Sequence, residues 1–135
     1  MTDPELVAKK LAFIETCVRE LRTLARPERI GDDLREERFV EHTLQLAIQA
    51  ALDVGSHIVS DDRLGEPDTN RDVFRLLGKA GVVPVDLASR LEQMVGFRNV
   101  VVHLYQDVDL GIVRDVVENH LGDLLDFAAA IRRSL

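Results

Sequence analysis

Apolar residues recur every three or four positions along almost the whole chain, and this spacing constrains the fold more than any other feature. It places the apolar side chains on one stripe of an α-helix. The first stripe runs from Val7 to Ala25. Asp3 and Pro4 suit a helix N-cap and first turn, and Pro27 ends a helix. The spacing therefore predicts a first helix between these residues.

Four further helices follow from the same period. We expect the second to begin at Asp32 or Asp33 and to run close to Ser60. Residues 61–68 combine aspartates with a glycine and a proline and contain little that could be buried. Such a composition is typical of a loop.

The other three predicted helices lie in the second half of the chain. Thr69 caps the third, which ends before Gly81, and Pro84 starts the fourth. The fifth begins after Asp109 and ends near Leu135. Short connections between helices are typical of an antiparallel bundle.

Two β-branched runs, Val100 to Val102 and Val82 to Val83, weakly favour a strand. The first has three residues, which is short for a strand, and helical periodicity flanks it on both sides, so we predict helix there. The predicted fold is therefore all-α, an antiparallel helical bundle of about five helices, in one domain that spans residues 1–135.

Composition excludes several classes of protein. Hydrophobic residues make up 46% of the chain, which is too many for a disordered one. No apolar run approaches the roughly 18 residues of a membrane helix, and no signal peptide is recognisable. The single cysteine, Cys17, cannot form an internal disulfide and is expected to be a small buried hydrophobe. We expect a soluble, cytoplasmic protein that does not contact a membrane.

Charge is spread unevenly along the sequence. The net charge of −7 argues against a generally basic protein that wraps nucleic acid. Residues 71–105, however, carry five basic and three acidic side chains. A local positive site can hold a phosphate chain even on an acidic protein.

The most unusual part of that stretch is GFRNVVVHLY, in which four polar side chains stand among apolar ones. Burying Arg98, Asn99, His103 and Tyr105 without partners would cost several kcal/mol in total. Either a structural hydrogen-bond network or a ligand is therefore expected to compensate them.

Helix geometry separates these residues into faces. Asn99 and His103 are four positions apart and share one face, whereas Arg98 and Tyr105 are seven apart and share another. Arg98 and His103 are about 140° apart around the axis of a straight helix. They can meet one substrate if Arg98 reaches around, if the helix is distorted, or if a second copy of the chain completes the site.

An imidazole and a guanidinium suit the cleavage of RNA without a metal. That reaction needs a base for the ribose 2′-hydroxyl, an acid for the leaving oxygen and positive charge on the phosphorane. Histidine does such proton work near neutral pH, and arginine matches phosphate oxygens with a permanent charge. Two copies across a twofold axis would supply two of each group.

Arg98, His103 and Tyr105 form an RX4HXY signature, and with it residues 71–105 resemble the HepT-type toxins of the HEPN superfamily. The resemblance extends from the first long helix to the C-terminal one. It implies an all-α HEPN bundle that forms a homodimer and acts as a metal-independent endoribonuclease toxin without a cofactor. Arg98 and His103 would be catalytic at a shared dimer cleft, and Asn99 would orient one of them.

The resemblance also implies a partner and a modification. The partner is an MntA-type nucleotidyltransferase antitoxin, which would silence the toxin by transferring AMP from ATP onto Tyr105. Each AMP would add an anion and a bulky base within a turn of His103, compete for Arg98 and block the cleft.

Other interpretations of the same residues remain open. Arg98 and His103 could form a structural pair that links helices, and Tyr105 alone could be a half-buried core tyrosine. A non-catalytic HEPN module that binds nucleotides or partners a nucleotidyltransferase would grip a phosphate with Arg98 and His103 without cleaving it. His120 lies on an apolar stripe and is expected to be a core residue. No pair of histidines has the spacing of metal ligands with a carboxylate nearby, so no metal site is predicted.

Arg71, Arg75 and Lys79 share one face of the third predicted helix, at steps of four residues. They could follow an RNA backbone or simply be the solvent side of that helix. Both alternatives are open on the sequence alone.

Overall fold

The computed structural model describes residues 3–103 and 109–135, with the backbone alone for residues 98–103. Within these ranges the secondary structure is helical, and no strand is found, which confirms the all-α fold. The helices are α1 (Pro4–Leu24), α2 (Leu34–Asp61), α3 (Asn70–Lys79), α4 (Val85–His103), α5 (Leu110–Asn119) and α6 (Leu121–Ser134), with a 3₁₀ turn at Pro27–Arg29 between α1 and α2.

The predicted helix starts are confirmed by their caps. The carboxylate of Asp3 accepts from the backbone N–H of Glu5 at 3.0 Å at the start of α1. The carboxylate of Asp33 accepts from Arg35 N–H at 2.9 Å at the start of α2. These bonds satisfy N–H groups that the first turn of a helix leaves without partners, so the acidic residues define where the helices begin.

The core forms around α2, the longest helix, which packs against every other helix. Phe74 on α3 and Phe127 on α6 meet edge to face, with ring centroids 5.7 Å apart and an interplanar angle of 85°. Both rings are almost fully buried. The largest fully buried side chains are Phe74, Phe127, Leu11, Ile14, Leu21, Leu44, Ile48, Leu77, Leu91, Leu124, Ile131 and Val7.

The C-terminal segment differs from the prediction of one helix between Asp109 and Leu135. The structure has two helices, and the break is at His120, whose backbone leaves the helical region with φ −123° and ψ 1°. Helical periodicity persists across the break, so the sequence stripe does not reveal it. Gly122, the second residue of α6, has a low intrinsic preference for a helix and so does little to favour a continuous helix across the break.

The expectation that His120 is a core residue is wrong. Its side chain is 43% exposed, and its Nε2 lies 3.1 Å from the carboxylate of Asp115. Nδ1 lies 3.8 Å from Asp123. At the α5–α6 junction the imidazole therefore lies beside these carboxylates and is not part of the apolar core.

Helices α3 and α4 pack unusually closely and in opposite directions. A Cβ built on Gly78 would lie 2.7 Å from the Cβ of Ala88, so only a hydrogen fits between the two helices at this point. Farther along, Arg71 on α3 lies beside Gly96 on α4. The two pairs fix the register and place the N-terminal end of α3 beside the C-terminal half of α4.

Among the described residues, no helix is both long and apolar enough to cross a membrane.

Substituting Gly78 tests the close contact of α3 and α4. Gly78→Ala should lower the free energy of unfolding by about 1–3 kcal/mol, because the added methyl group overpacks the contact with Ala88. Chemical denaturation followed by circular dichroism measures the change. Gly122→Ala is the matched control, since its Cβ would meet only Arg22 Nη2, at an ordinary 3.9 Å. Equal stability of the two variants would contradict the account of this contact.

Candidate nucleic-acid interface

The structure brings three of the four motif residues onto one helix. Arg98, Asn99 and His103 lie in the last two turns of α4, whose backbone is α-helical through His103. Tyr105 lies outside the described residues. Because the helix is continuous, a distorted helix no longer explains how Arg98 and His103 could meet one substrate. Two explanations remain, a long reach by Arg98 or a second copy of the chain.

The buried face of α4 sets the register in which these positions stand. Leu91 and Val95 are almost fully buried against the core. Position 98 follows Leu91 by seven residues and therefore repeats its angular position, while position 103 repeats that of Gly96. The arginine and histidine positions are thus aligned with two different sides of the helix.

Gly96 is the place where a cation from another helix approaches the motif. The guanidinium of Arg71 lies directly against the α4 backbone here, and its Cζ is only 3.0 Å from where a Cβ of residue 96 would stand. Any side chain at position 96 would occupy the space that the guanidinium fills. The apolar spacing does not single out Gly96, although an isolated glycine within a helical pattern commonly has a packing reason.

The three basic residues of α3 share an exposed face, as their spacing predicts. Their electrostatic surroundings differ, however. Arg75 pairs with Asp72 at 2.7 Å, which offsets its charge. No hydrogen bond or ion pair to Arg71 or Lys79 is found among the residues that the structure describes.

Asp72 has a structural role that explains its partnership with Arg75. Its carboxylate accepts from the backbone N–H groups of Asp68 and Thr69, while the Thr69 hydroxyl accepts from Asp72 N–H. The bond from Asp68, together with those from Thr69 and the charge of Arg75, holds the pKa of Asp72 below its usual range. This capping box confirms the predicted start of α3 and fixes the turn that carries Arg71.

A cavity of about 240 Å³ lies on another side of α4, against α5 and α6. Phe97, which directly precedes Arg98, is part of its lining, as is Arg90. Arg90 donates to Asp123 at 3.0 Å and to Asp86 at 3.3 Å, and these bonds raise the pKa of its guanidinium. Arg90 is therefore paired with carboxylates, and its bond to Asp123 links α4 to α6.

Cys17 is a buried thiol and not a reactive one. Cys17 is 2% exposed, as expected, and burial raises the pKa of its thiol, which disfavours the reactive thiolate. Within the described ranges, no group of three or more histidine, cysteine and carboxylate side chains could hold a metal ion.

The chain is similar in sequence to known ribonucleases. A family model described as "Ribonuclease HepT-like" matches residues 14–131. The mRNA nuclease HepT of Shewanella oneidensis is 32% identical over 129 residues, which cover 95% of this chain and 97% of that protein. The tRNA nuclease HepT of Aphanizomenon flos-aquae is 33% identical over 112 residues, covering 79% and 74% respectively.

A solved structure superposes on nearly the whole of this chain. It is described as the tri-AMPylated Shewanella oneidensis HEPN toxin in complex with MNT antitoxin, and it superposes with a TM-score of 0.88 at 32% identity. The match covers 98% of this chain and 99% of that one. The expectations of a HEPN bundle and of an endoribonuclease are confirmed by these similarities. The chain belongs to the HepT-like ribonuclease family.

Proposed function

We propose that the chain is a metal-independent endoribonuclease toxin whose catalytic residues are Arg98 and His103. The observation that carries this proposal is that Arg98 and His103 of the RX4HXY signature lie on the final turns of α4 in a HepT-like chain. Relatives named as mRNA and tRNA nucleases support RNA as the substrate class.

The two side-chain types supply what transesterification of RNA needs. His103 takes the proton of a ribose 2′-hydroxyl, and the 2′-oxygen forms a bond to the adjacent phosphorus. The bond from phosphorus to the 5′-oxygen breaks, and that oxygen takes a proton from His103 of the partner subunit. The guanidinium of Arg98 stabilises the charge that develops on the phosphorane. The products are a 2′,3′-cyclic phosphate and a 5′-hydroxyl.

A homodimer is part of the proposal because one chain has too few groups. A single copy has one imidazole and one guanidinium in the motif, at positions about 140° apart around α4. A second copy across a twofold axis supplies an acid as well as a base and brings an arginine to a histidine of the opposite chain. In this proposal Asn99, which precedes His103 by four residues, orients Arg98 or His103.

The proposed partner is an MntA-like nucleotidyltransferase antitoxin that transfers AMP from ATP to Tyr105. The similar Shewanella oneidensis toxin is described as AMPylated and in complex with an MNT antitoxin, which supports such a partner. The Tyr105 hydroxyl attacks the α-phosphate, and pyrophosphate leaves. A phosphodiester two residues from His103 competes with RNA for Arg98 by charge and by volume.

Removal of either catalytic group tests the nuclease. His103→Ala or Arg98→Ala should slow RNA cleavage by roughly 10²-fold or more, the usual range for a lost acid–base or charge-stabilising group. A fluorescent single-stranded RNA measures the rate. EDTA should leave the wild-type rate unchanged, and His42→Ala, an exposed residue of α2, should behave like the wild type.

Two outcomes would contradict the nuclease. If wild-type protein and His103→Ala both leave RNA intact, the chain is not this enzyme. Tight binding of a nucleotide without cleavage would favour the non-catalytic module instead.

Intact mass tests the modification. Protein coexpressed with its antitoxin should gain mass in steps of one adenylyl group and lose RNA cleavage with it. Tyr105 is the only tyrosine of the chain, and Tyr105→Phe should abolish these additions. If the Tyr105→Phe variant still gains adenylyl groups, the modified residue is not Tyr105.

A further inference from the structure

We propose that Arg71 binds the RNA backbone beside the cleft, at a phosphate that flanks the scissile one, and that Gly96 holds it there. This inference rests on the proposed ribonuclease function. It separates Arg71 from the other two basic residues of α3, which the sequence pattern treats alike.

The contact between Arg71 and α4 gives the guanidinium a defined location. Its Nε is 3.3 Å and its Cζ 3.0 Å from the point that a Cβ of residue 96 would occupy. The approach is possible because residue 96 has no side chain. A long, exposed arginine loses side-chain entropy when it binds, so a contact that narrows its positions beforehand favours a ligand.

Arg71 also has charge available for a ligand. Within the described residues no carboxylate pairs with it, whereas the neighbouring Arg75 is held by Asp72 at 2.7 Å. The guanidinium is permanently charged and its fork of donors matches phosphate oxygens. An exposed, unoffset cation at the edge of a nucleic-acid site is expected to contact the backbone.

The antiparallel packing of α3 and α4 selects Arg71 from the three. Its position beside Gly96 is at the motif end of α4, while Gly78 packs on Ala88 at the opposite end. Lys79, eight residues after Arg71, is therefore roughly 12 Å farther from the motif along the helix axis. Only the first of the three basic residues is adjacent to the proposed cleft.

The distance along α4 indicates which phosphate is bound. Residue 103 follows Gly96 by seven positions, at nearly the same angle and roughly 10 Å farther along the axis. Arg71 thus lies on the same side of α4 as position 103. Its distance from position 103 along the helix axis is too large for both residues to contact the scissile phosphate. The expected contribution is to the affinity for RNA, with little effect on the chemical step.

Two substitutions at opposite sides of this contact test the proposal. Arg71→Ala should raise KM for single-stranded RNA roughly tenfold, the size expected for one lost charge-assisted bond, with kcat nearly unchanged. The slope of log affinity against log salt should become less steep by about 0.7, one phosphate contact on a single strand. Gly96→Ala should reproduce both effects, because the added methyl group displaces the Arg71 guanidinium from its place against α4.

The controls match each substitution in type. Lys9→Ala removes a cation from α1, which packs mainly on α2 and α6, and should leave KM unchanged. Gly122→Ala makes the same glycine-to-alanine change in α6 without a close neighbour. Thermal stability of Gly96→Ala should equal or exceed that of the wild type, because alanine favours helix. If the contact between Arg71 and α4 is purely structural, the substitutions should instead lower thermal stability and leave the salt dependence of RNA affinity unchanged.

Binding of a labelled RNA to His103→Ala, with and without Arg71→Ala, separates this inference from the proposed function. If wild-type protein cleaves RNA but Arg71→Ala changes neither KM nor binding, the assignment of Arg71 is wrong and the nuclease stands. If nothing cleaves RNA, the proposed function fails, and the binding comparison still decides whether Arg71 holds a phosphate backbone. Arg71→Ala with an effect no larger than that of Lys79→Ala would also overturn the proposal.

Discussion

The close approach of α3 to α4 is the contact on which the candidate site depends. Gly78 lets α3 meet Ala88 almost backbone to backbone, and the same register brings Arg71 to Gly96. A shift of α3 by one turn would move the guanidinium about 5 Å along α4. Glycines at two points of one interface therefore determine where positive charge lies relative to the motif.

Local charge resolves the difficulty that the net charge of −7 poses for an RNA-binding protein. Several arginines of the structure are committed to carboxylates, as Arg90 is to Asp123 and Arg75 to Asp72. Arg71 has no such partner in the described part of the chain and lies at the motif end of α4. A phosphate chain is attracted by cations near the cleft, since charges elsewhere on the surface are screened beyond about 10 Å at moderate salt.

The sequence predicts local features of this fold well and interhelical ones poorly. Asp3 and Thr69 mark helix starts because an N-cap is a short-range hydrogen bond between residues close in sequence. The break at His120 is not visible in the apolar stripe, because both helices bury residues of the same period. Neither the place of His120 beside Asp115 nor the contact of Arg71 with Gly96 follows from spacing, because each depends on the path of the folded chain.

The site residues themselves come from the signature and from the resemblance that it carries. Arg98, Asn99 and His103 lie on one continuous helix, as the sequence predicts, and Tyr105 lies outside the described residues. Roles for these four residues stay predictions. The geometry adds a constraint, because an unbroken helix separates the arginine and histidine positions by about 140° and so favours completion of the site by a second copy.

A mixed dimer tests the shared cleft most directly. Differently tagged wild-type and His103→Ala chains are coexpressed, purified through both tags and assayed on RNA. If the cleft is shared, the mixed dimer should cleave far more slowly than half the wild-type rate, because the reaction needs one imidazole as base and the imidazole of the opposite chain as acid. A mixed dimer that cleaves at about half the wild-type rate, or a wild-type chain that cleaves RNA as a monomer, would contradict the shared cleft.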